Sequence, residues 1–381
     1  VTRFTCGHCV FDGETAGEIQ RFFCFEIVNK AYEGKTQMIK VGIVGASGYG
    51  GGELMRWLAL HPSAEVVAAT SKTYAGQPVE KAFGSMAKSD LVLSEDDLGA
   101  VSDCDIVFLA GADGASMCMA EPLLESGCRV IDLGASFRFN HCAEYTAWYG
   151  EEHQAAHLLE QSVYGLPELH RSALKNARLV GNPGCYVTAT LLALAPVVEG
   201  NLIQPDSIVV SGISGVSGAG RSKFGLDYHF SEMNENAWAY KAGGTHRHTG
   251  EIEQELSHLH GDKLTISFTP HIVPMTRGVL ATCVAKLADG VTEDQVSSAF
   301  AEFYEDEPFV FLSNGLPATK HTLGSNMCHI GFTFDKRTNR VTIVSAIDNL
   351  GKGMAGQAIQ NMNLMFGLDE TTGLRSFALW P

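Results

Sequence analysis

MIKVGIVGASGYGGGELMRWLALHP (residues 38–62) reads as strand, glycine turn and helix. Ile39, Val41, Ile43 and Val44 are strand material, Glu53 to Leu60 has helical spacing, and Pro62 stops the helix. Between them lie Gly42, Gly45, Gly48, Gly50, Gly51 and Gly52. Glycines there let the backbone turn sharply and approach a pyrophosphate, which the amides at the start of the following helix then bind. The candidate dinucleotide loop is therefore Gly45, Ala46, Ser47, Gly48, Tyr49 and Gly50. A glycine pattern alone is weak, but a strand before it and a helix after it make the reading specific. Further short apolar runs follow in AEVVAAT, CDIVFLAG and CRVIDLGASF, spaced by helix-length polar stretches. That alternation predicts an α/β fold with a doubly wound parallel sheet of the Rossmann type.

A carboxylate about 20 residues past the loop, at the carboxyl end of the second strand, usually takes the ribose 2′-hydroxyl of NAD. Glu65 lies at that distance but stands at the wrong end of its strand. The far end reads Thr70-Ser71-Lys72, a hydroxyl and a cation in place of the acid. Ser71 and Lys72 suit a 2′-phosphate, so the predicted cofactor is NADP. The alternative is a solvated Ser-Lys loop.

The chain of 381 residues is long enough for two domains. Its hydrophobic content of 45% and charged content of 18% are those of a globular protein. A net charge of -16 argues against a nucleic-acid or membrane-surface binder, because those partners are anionic. No apolar run reaches the ~20 residues that span a bilayer. The start lacks a secretory core, and the ten cysteines are expected as reduced thiols in the cytoplasm. Within residues 1–37, CGHC (Cys6 to Cys9) and Cys24 raise the question of a metal. No second Cys-x-x-Cys or His pair at zinc spacing accompanies them, so no metal is expected. The working unit is expected to begin at Met38, with 1–37 an extension or a misplaced start.

LVGNPGCYVTATLLALAP (residues 179–196) sets one cysteine apart from the other nine. Pro183-Gly184 makes a turn and an apolar helix follows, so Cys185 falls in or before the first helical turn. Amides and the helix dipole at that position are expected to lower its thiol pKa. The competing reading is a buried, inert thiol. Cys104 and Cys128 border strands, and Cys118, Cys142, Cys283 and Cys328 lack glycine turns, so packing is expected of them. THRHTGEIEQEL supplies an acid/base in His246, Arg247, His248 and Glu251. His248 and Glu251 are three apart on one helical face, where the carboxylate meets the imidazole or a ligand. His-x-His also resembles a zinc pair but has no clear third ligand. Arg138, just past a strand end in DLGASFRF, and Ser214, Ser217 and Arg221 in SGVSGAGRS are candidates for holding an anion. The glycines of DNLGKGMAGQAIQNMNLMF read as a flexible entry to a helix from Ala358 to Phe366.

VGNPGCYVTATLLALAP resembles the active-site signature of the N-acetyl-gamma-glutamyl-phosphate reductases. GIVGASGYGGGEL, SGVSGAGR, HRHTGE, TPHIVPMTRG and DNLGKGMAGQAIQN resemble other segments of that family in the same order. The likeness runs from Met38 to the C-terminus; Val187 stands where the family often has proline. It implies a glyceraldehyde-3-phosphate-dehydrogenase-like α+β second domain. The implied boundaries are 38–184 for the NADP domain, 185–349 for the catalytic domain, and 350–381 returning to the first. It also implies NADPH-dependent reduction of N-acetyl-glutamyl 5-phosphate to the semialdehyde, with Cys185 as nucleophile and His248 as acid/base. Arg138, Ser214, Arg221 and Glu251 would hold substrate, Asn349 the nicotinamide carboxamide, and the assembly would be a homodimer or homotetramer. The nearest rivals are aspartate-semialdehyde dehydrogenase and a reductase of N-acetyl-aminoadipyl phosphate. Rivals of another class are a nucleotide-sensing protein without turnover and a cysteine hydrolase.

Overall fold

The computed structural model describes residues 38–111, 114–222 and 225–380, plus two short strands near the start, Thr5–Cys6 and Cys9–Val10. The chain divides into two units, Val1–Met38 and Ile39–Pro381. In the first, the two strands pair antiparallel with Cys6 opposite Cys9. Cys24, and the side chains that would decide metal binding by Cys6 and Cys9, lie outside the described residues.

The second unit opens on a parallel sheet. Its strands are β1 (Ile39–Val44), β2 (Ala64–Ala69), β3 (Ile106–Leu109), β4 (Arg129–Asp132), β5 (Ser162–Tyr164) and β6 (Leu179–Gly181). They lie in the order β2-β1-β3-β4-β6-β5, every pair parallel. The strand order reverses between β1 and β3, so the crevice at their carboxyl ends is where such a sheet takes its ligand. The glycine loop leaves β1 at that point. Both faces are covered, which is why β3 (IVFL) is continuously apolar and fully buried. One face packs on α1 (Tyr49–Leu58), the other on α2 (Ala115–Glu125). The first turn of α1 begins earlier than helical spacing predicts, because tertiary packing accepts its glycines: a Cβ on Gly52 would lie 2.6 Å from the Phe83 ring.

Two short helices, α3 (Cys142–Tyr149) and α4 (Pro167–Leu174), precede α5 (Cys185–Glu199). From Tyr186 to Val198 every residue of α5 is buried. A helix apolar all round has no solvent face, and this one forms the core of the second half. Against it lies a mixed seven-stranded sheet. Its strands are β7 (Val209–Ser214), β8 (Trp238–Ala239), β9 (Ser267–Ile272), β10 (Val279–Lys286), β11 (Val310–Leu312), β12 (Cys328–Asp335) and β13 (Arg340–Ile347). The order is β8-β9-β7-β10-β13-β12-β11. Helix α6 (His248–His260) packs on the same core as α5, and α7 (Glu293–Phe303) follows β10.

The last helix, α8 (Gly356–Met365), leaves this sheet. Its Ala358, Ile359 and Met362 share one apolar cluster with Ile43, Leu54 and Ile131 of the parallel sheet's side. Its glycine-rich entry is not a flexible linker. Residues Gly351–Ala355 form a π turn, held by the Asp348 carboxylate, which accepts from the amides of Leu350 (2.8 Å) and Gly351 (3.0 Å). Cys118 and Cys142 also differ from expectation: both are exposed, whereas Cys104, Cys128, Cys283 and Cys328 are buried. Among the described residues no helix is long and apolar enough to cross a membrane.

Candidate active site

Cys185 is the first residue of α5, with Gly184 as its N-cap in extended conformation. Its own amide and that of Tyr186 point at the sulfur and favour the thiolate, as does the charge of Arg138. Burial outweighs them and pushes the thiol up to about 11. The expected low pKa is thus corrected: the helix start is there, but Cys185 is half-buried at the head of a buried helix and desolvation dominates.

His248 opens α6, and its ring lies flat against the Gly184 turn. A Cβ on Gly184 would sit 2.4 Å from His248 Nε2, so only glycine lets the imidazole reach the residue beside the sulfur. Burial first, then the neighbouring His246, Arg138, Arg247 and Lys241, hold His248 well below the usual histidine range. His248 Nδ1 is buried and has no hydrogen-bond partner. His246 packs on it edge-to-face at 4.7 Å and is itself lowered by burial to about 4. Among the described residues no hydrogen bond joins Cys185 to His248. In this state the two groups are therefore a neutral thiol and a neutral imidazole, not an ion pair.

Glu251 does not meet the imidazole. Its Oε1 accepts from the Gly184 amide (3.0 Å) and from the Tyr164 hydroxyl (2.8 Å), so the carboxylate staples the Pro-Gly turn in place. Its Oε2 lies 3.5 Å from Arg138 Nη1 without a hydrogen bond. Arg138 is buried and donates to the carbonyls of Asn182 (2.7 Å) and Leu133 (3.0 Å). Burial opposes its charge, but the Glu251 carboxylate prevails and the guanidinium's pKa is raised. Cys185, His248, Arg138 and Glu251 thus converge on one turn.

The other candidates gather elsewhere. Ser214 ends β7, buried, and its hydroxyl donates to the Gly215 carbonyl (3.0 Å). Asn349 accepts from the Gly278 amide (2.7 Å) and donates to the Ser217 hydroxyl (2.9 Å), so its amide braces the 215–219 turn. Arg221 does not join the group around Cys185. Its two Nη atoms donate to the carbonyls of Ser47 (2.9 Å) and Ala82 (2.8 Å), with the guanidinium 4.5 Å over the Phe83 ring. An arginine expected on the substrate lies on the dinucleotide loop instead, because the 215–222 turn reaches across to it.

That loop fits a bound dinucleotide. Gly45 has φ +77°, and a Cβ there would lie 2.8 Å from the backbone of Ala110 and Gly111, so the chain turns where only glycine fits. Ala46 is fixed by its amide to the Thr70 carbonyl (2.8 Å), and Gly48 to Gly45 (3.1 Å). Tyr49 is exposed and starts α1 beside Gly50. Ser47 and Ser71 share a hydrogen bond between hydroxyls at 2.7 Å, and Lys72 next to them is exposed. Sequence reading did not anticipate Asp96, whose carboxylate accepts from the Thr70 hydroxyl.

Residues 40–177 match the family model of the semialdehyde dehydrogenase NAD binding domain, and residues 185–349 that of the semialdehyde dehydrogenase dimerisation domain. A curated N-acetyl-gamma-glutamyl-phosphate reductase of Symbiobacterium thermophilum is 52% identical over 339 residues, covering 88% of this chain and 97% of the relative. The chain belongs to the N-acetyl-gamma-glutamyl-phosphate reductase family. Relatives of the same name from Desulforudis audaxviator and Geobacter sulfurreducens are 50% and 47% identical, each covering 90% of this chain and all of the relative. Among solved structures, aspartate semialdehyde dehydrogenase II of Vibrio cholerae superposes with a TM-score of 0.67 at 17% identity, covering 87% of this chain and 99% of that one. The Candida albicans aspartate semialdehyde dehydrogenase with NADP gives 0.64 at 16%, covering 87% and 99%. At that identity the likeness shows the fold.

In this reductase-family chain the segment after β13 reaches both parts of the site; its return to the dinucleotide side was expected, its contact with Cys185 was not. A Cβ on Gly353 would lie 2.8 Å from Cys185 Cβ, and one on Gly50 would lie 2.8 Å from Met354 Sδ. The Met354 carbonyl accepts from Asn182 Nδ2 (3.1 Å), three residues before the cysteine. The available signal was a lysine set between glycines in GKG (351–353). Arg277 was also missed; it bridges Glu53 of α1 (2.7 Å) and Asp348 (3.0 Å).

Proposed function

We propose that the chain reduces N-acetyl-L-glutamyl 5-phosphate to N-acetyl-L-glutamate 5-semialdehyde with NADPH, releasing phosphate, through a thioester on Cys185. The observation that carries this reading is the seating of Cys185 at the head of α5 with His248 pressed on the glycine beside it. The identities of 46–52% to curated reductases of this name favour it over the aspartate-semialdehyde rival.

Both groups start neutral, so His248 is a base ready to take the thiol proton as sulfur attacks the acyl carbon. The C–S bond forms as the C–O bond to phosphate breaks, leaving thioester and imidazolium. Bound NADPH supplies the hydride that reduces the thioester carbonyl. His248 then returns its proton to the oxygen, and the proton passes back to sulfur as the C–S bond breaks and the aldehyde leaves. Arg138, charged and fixed by two carbonyls, offers the positive field that an acyl phosphate and its oxyanion need in so acidic a chain. Glu251 sets the Gly184 turn, and Ser214 lines the 215–219 side.

For the cofactor, the loop Gly45–Gly50 takes the pyrophosphate, with Ser71 and Lys72 at the 2′-phosphate and Arg221 on the same side. Asn349 keeps one amide hydrogen for the carboxamide. Affinity for NADPH should exceed that for NADH, and Lys72→Glu should reverse the order in titration calorimetry; equal affinities in the parent chain would end the NADP assignment. We assign 38–184 and 350–381 to the cofactor domain, 185–349 to a catalytic domain that forms a homodimer or homotetramer, and the cytoplasm as the setting. Truncation to Met38 should keep activity. The whole reading is tested by the phosphate-dependent reverse reaction: NADP reduction with N-acetyl-glutamate semialdehyde and none with aspartate semialdehyde. The opposite preference would refute it.

A further inference from the structure

Lys352 is fully buried. Its Nζ donates to Glu168 Oε1 of α4 (2.6 Å) and to Gln360 Oε1 of α8 (2.8 Å), and lies 5.8 Å over the Phe309 ring. Glu168 is equally sealed, and the mechanism above uses neither group. Gln360 in turn accepts from Asn326 Nδ2 (3.0 Å) and donates to Glu370 (2.9 Å). One ammonium thus ties three segments of chain that meet beneath the π turn.

A buried ion pair is a poor means of stabilising a fold. Its desolvation cost nearly cancels the attraction, and well-packed apolar residues often serve as well or better. In some folds such a pair supplies a fixed register instead. The π turn needs one, since it carries an extra residue that helical hydrogen bonding alone would expel, and such turns gather at functional sites. The residues on either side of the lysine are placed with no slack. Gly353 backs onto Cys185 Cβ, so a shift of the turn moves the nucleophile. Met354 meets Gly50 and, through its carbonyl, Asn182. Asp348, at the head of the segment, is gripped by Arg277, which also holds Glu53 of the dinucleotide helix.

We propose that Lys352 is a positioning residue for the nucleophile: clamped by Glu168 and Gln360, it holds the 351–355 turn so that Gly353 seats Cys185 and Met354 seats the dinucleotide loop. The proposal rests on Cys185 being the nucleophile. Charge matters here for geometry, so removing both charges should leave a folded protein whose sulfur is misplaced.

The test uses the full chain with Lys352→Met/Glu168→Gln, which removes the charges together, and Gln360→Met, an uncharged exchange that takes away one anchor. Thermal melting, kcat and the KM values for NADP, phosphate and aldehyde in the reverse reaction are measured. So is the rate of iodoacetamide alkylation of Cys185 against pH. The double variant should melt near the parent temperature, lose ~100-fold in kcat with KM values little changed, and show a displaced alkylation profile. Gln360→Met should move kcat and the profile in the same direction by less. Parental kcat and profile in a folded double variant overturn the proposal. So does failure of both variants to fold, which would make the pair structural. Turnover by Cys185→Ser would instead refute the nucleophile itself, a separate result.

Discussion

At the scale of single residues, Cys185 and His248 rest as neutral groups. Cys185 is pushed up to about 11 by burial and His248 is held well below the histidine range by burial and nearby cations. Without substrate, iodoacetamide should therefore label Cys185 slowly at neutral pH and faster as pH rises toward about 11. A plateau near pH 7 in the alkylation rate would mean an ion pair in which the helix start and Arg138 outweigh desolvation of the half-buried thiol. His248 has the opposite sign: its lowered pKa keeps the base form present as pH falls. The acid limb of kcat/KM should accordingly lie below the ordinary histidine value of 6.5. His248→Asn should cost ~100- to 10,000-fold in kcat, read by steady-state kinetics. That Cys185 and His248 would lie together, here at the Gly184 turn, was legible in NPGCY and HRHTGE. Their protonation was not, because desolvation depends on how deep α5 lies in the second core, and no local spacing encodes that. Glu251 shows the same limit. Three residues from His248, it was expected at the imidazole or at a ligand; it does not meet the ring, and it holds Gly184 and Tyr164 across the fold.

At the scale of elements, two glycines do steric work that a methyl group exposes. Gly45→Ala places a residue at φ +77° at a cost of ~1–2 kcal/mol and drives its Cβ onto Ala110. NADPH binding by calorimetry should be lost while the chain still folds. Gly184→Ala puts carbon 2.4 Å from His248 Nε2 and should displace the imidazole, lowering kcat as far as His248→Asn does with a comparable fold. Parental kinetics in Gly184→Ala would show that the ring has another place to sit. The strand–glycine–helix signature and the three following strands were readable because period, β-branched content and glycine punctuation agree. The π turn was not. An extra residue per turn leaves no periodic signal, and glycines that pack without a Cβ look like glycines that flex.

At the scale of the whole molecule, the parallel sheet with its crevice and the mixed sheet that packs on α5 meet along one seam. Arg277 spans it, pairing Glu53 of α1 with Asp348 at the end of β13. Arg277→Ala removes the partner that Glu53 and Asp348 share, while Arg56 still pairs with Glu53 and backbone amides still donate to Asp348; it should cost ~1–3 kcal/mol, visible as a lower melting temperature. Unchanged melting would mean the seam relaxes to let water in. Six ordered motifs made the architecture legible from the chain alone. The seam was not legible, since its partners lie 224 and 71 residues from Arg277 and each is an ordinary charged side chain.

Chemistry at Cys185 is most directly tested by mixing the chain with N-acetyl-glutamyl 5-phosphate in the absence of NADPH, then measuring released phosphate and the intact mass. One equivalent of phosphate and one acyl group on the peptide carrying Cys185 should form together, and neither should form in Cys185→Ser. Phosphate release that waits for NADPH, or an acyl group that persists in Cys185→Ser, would contradict the thioester route.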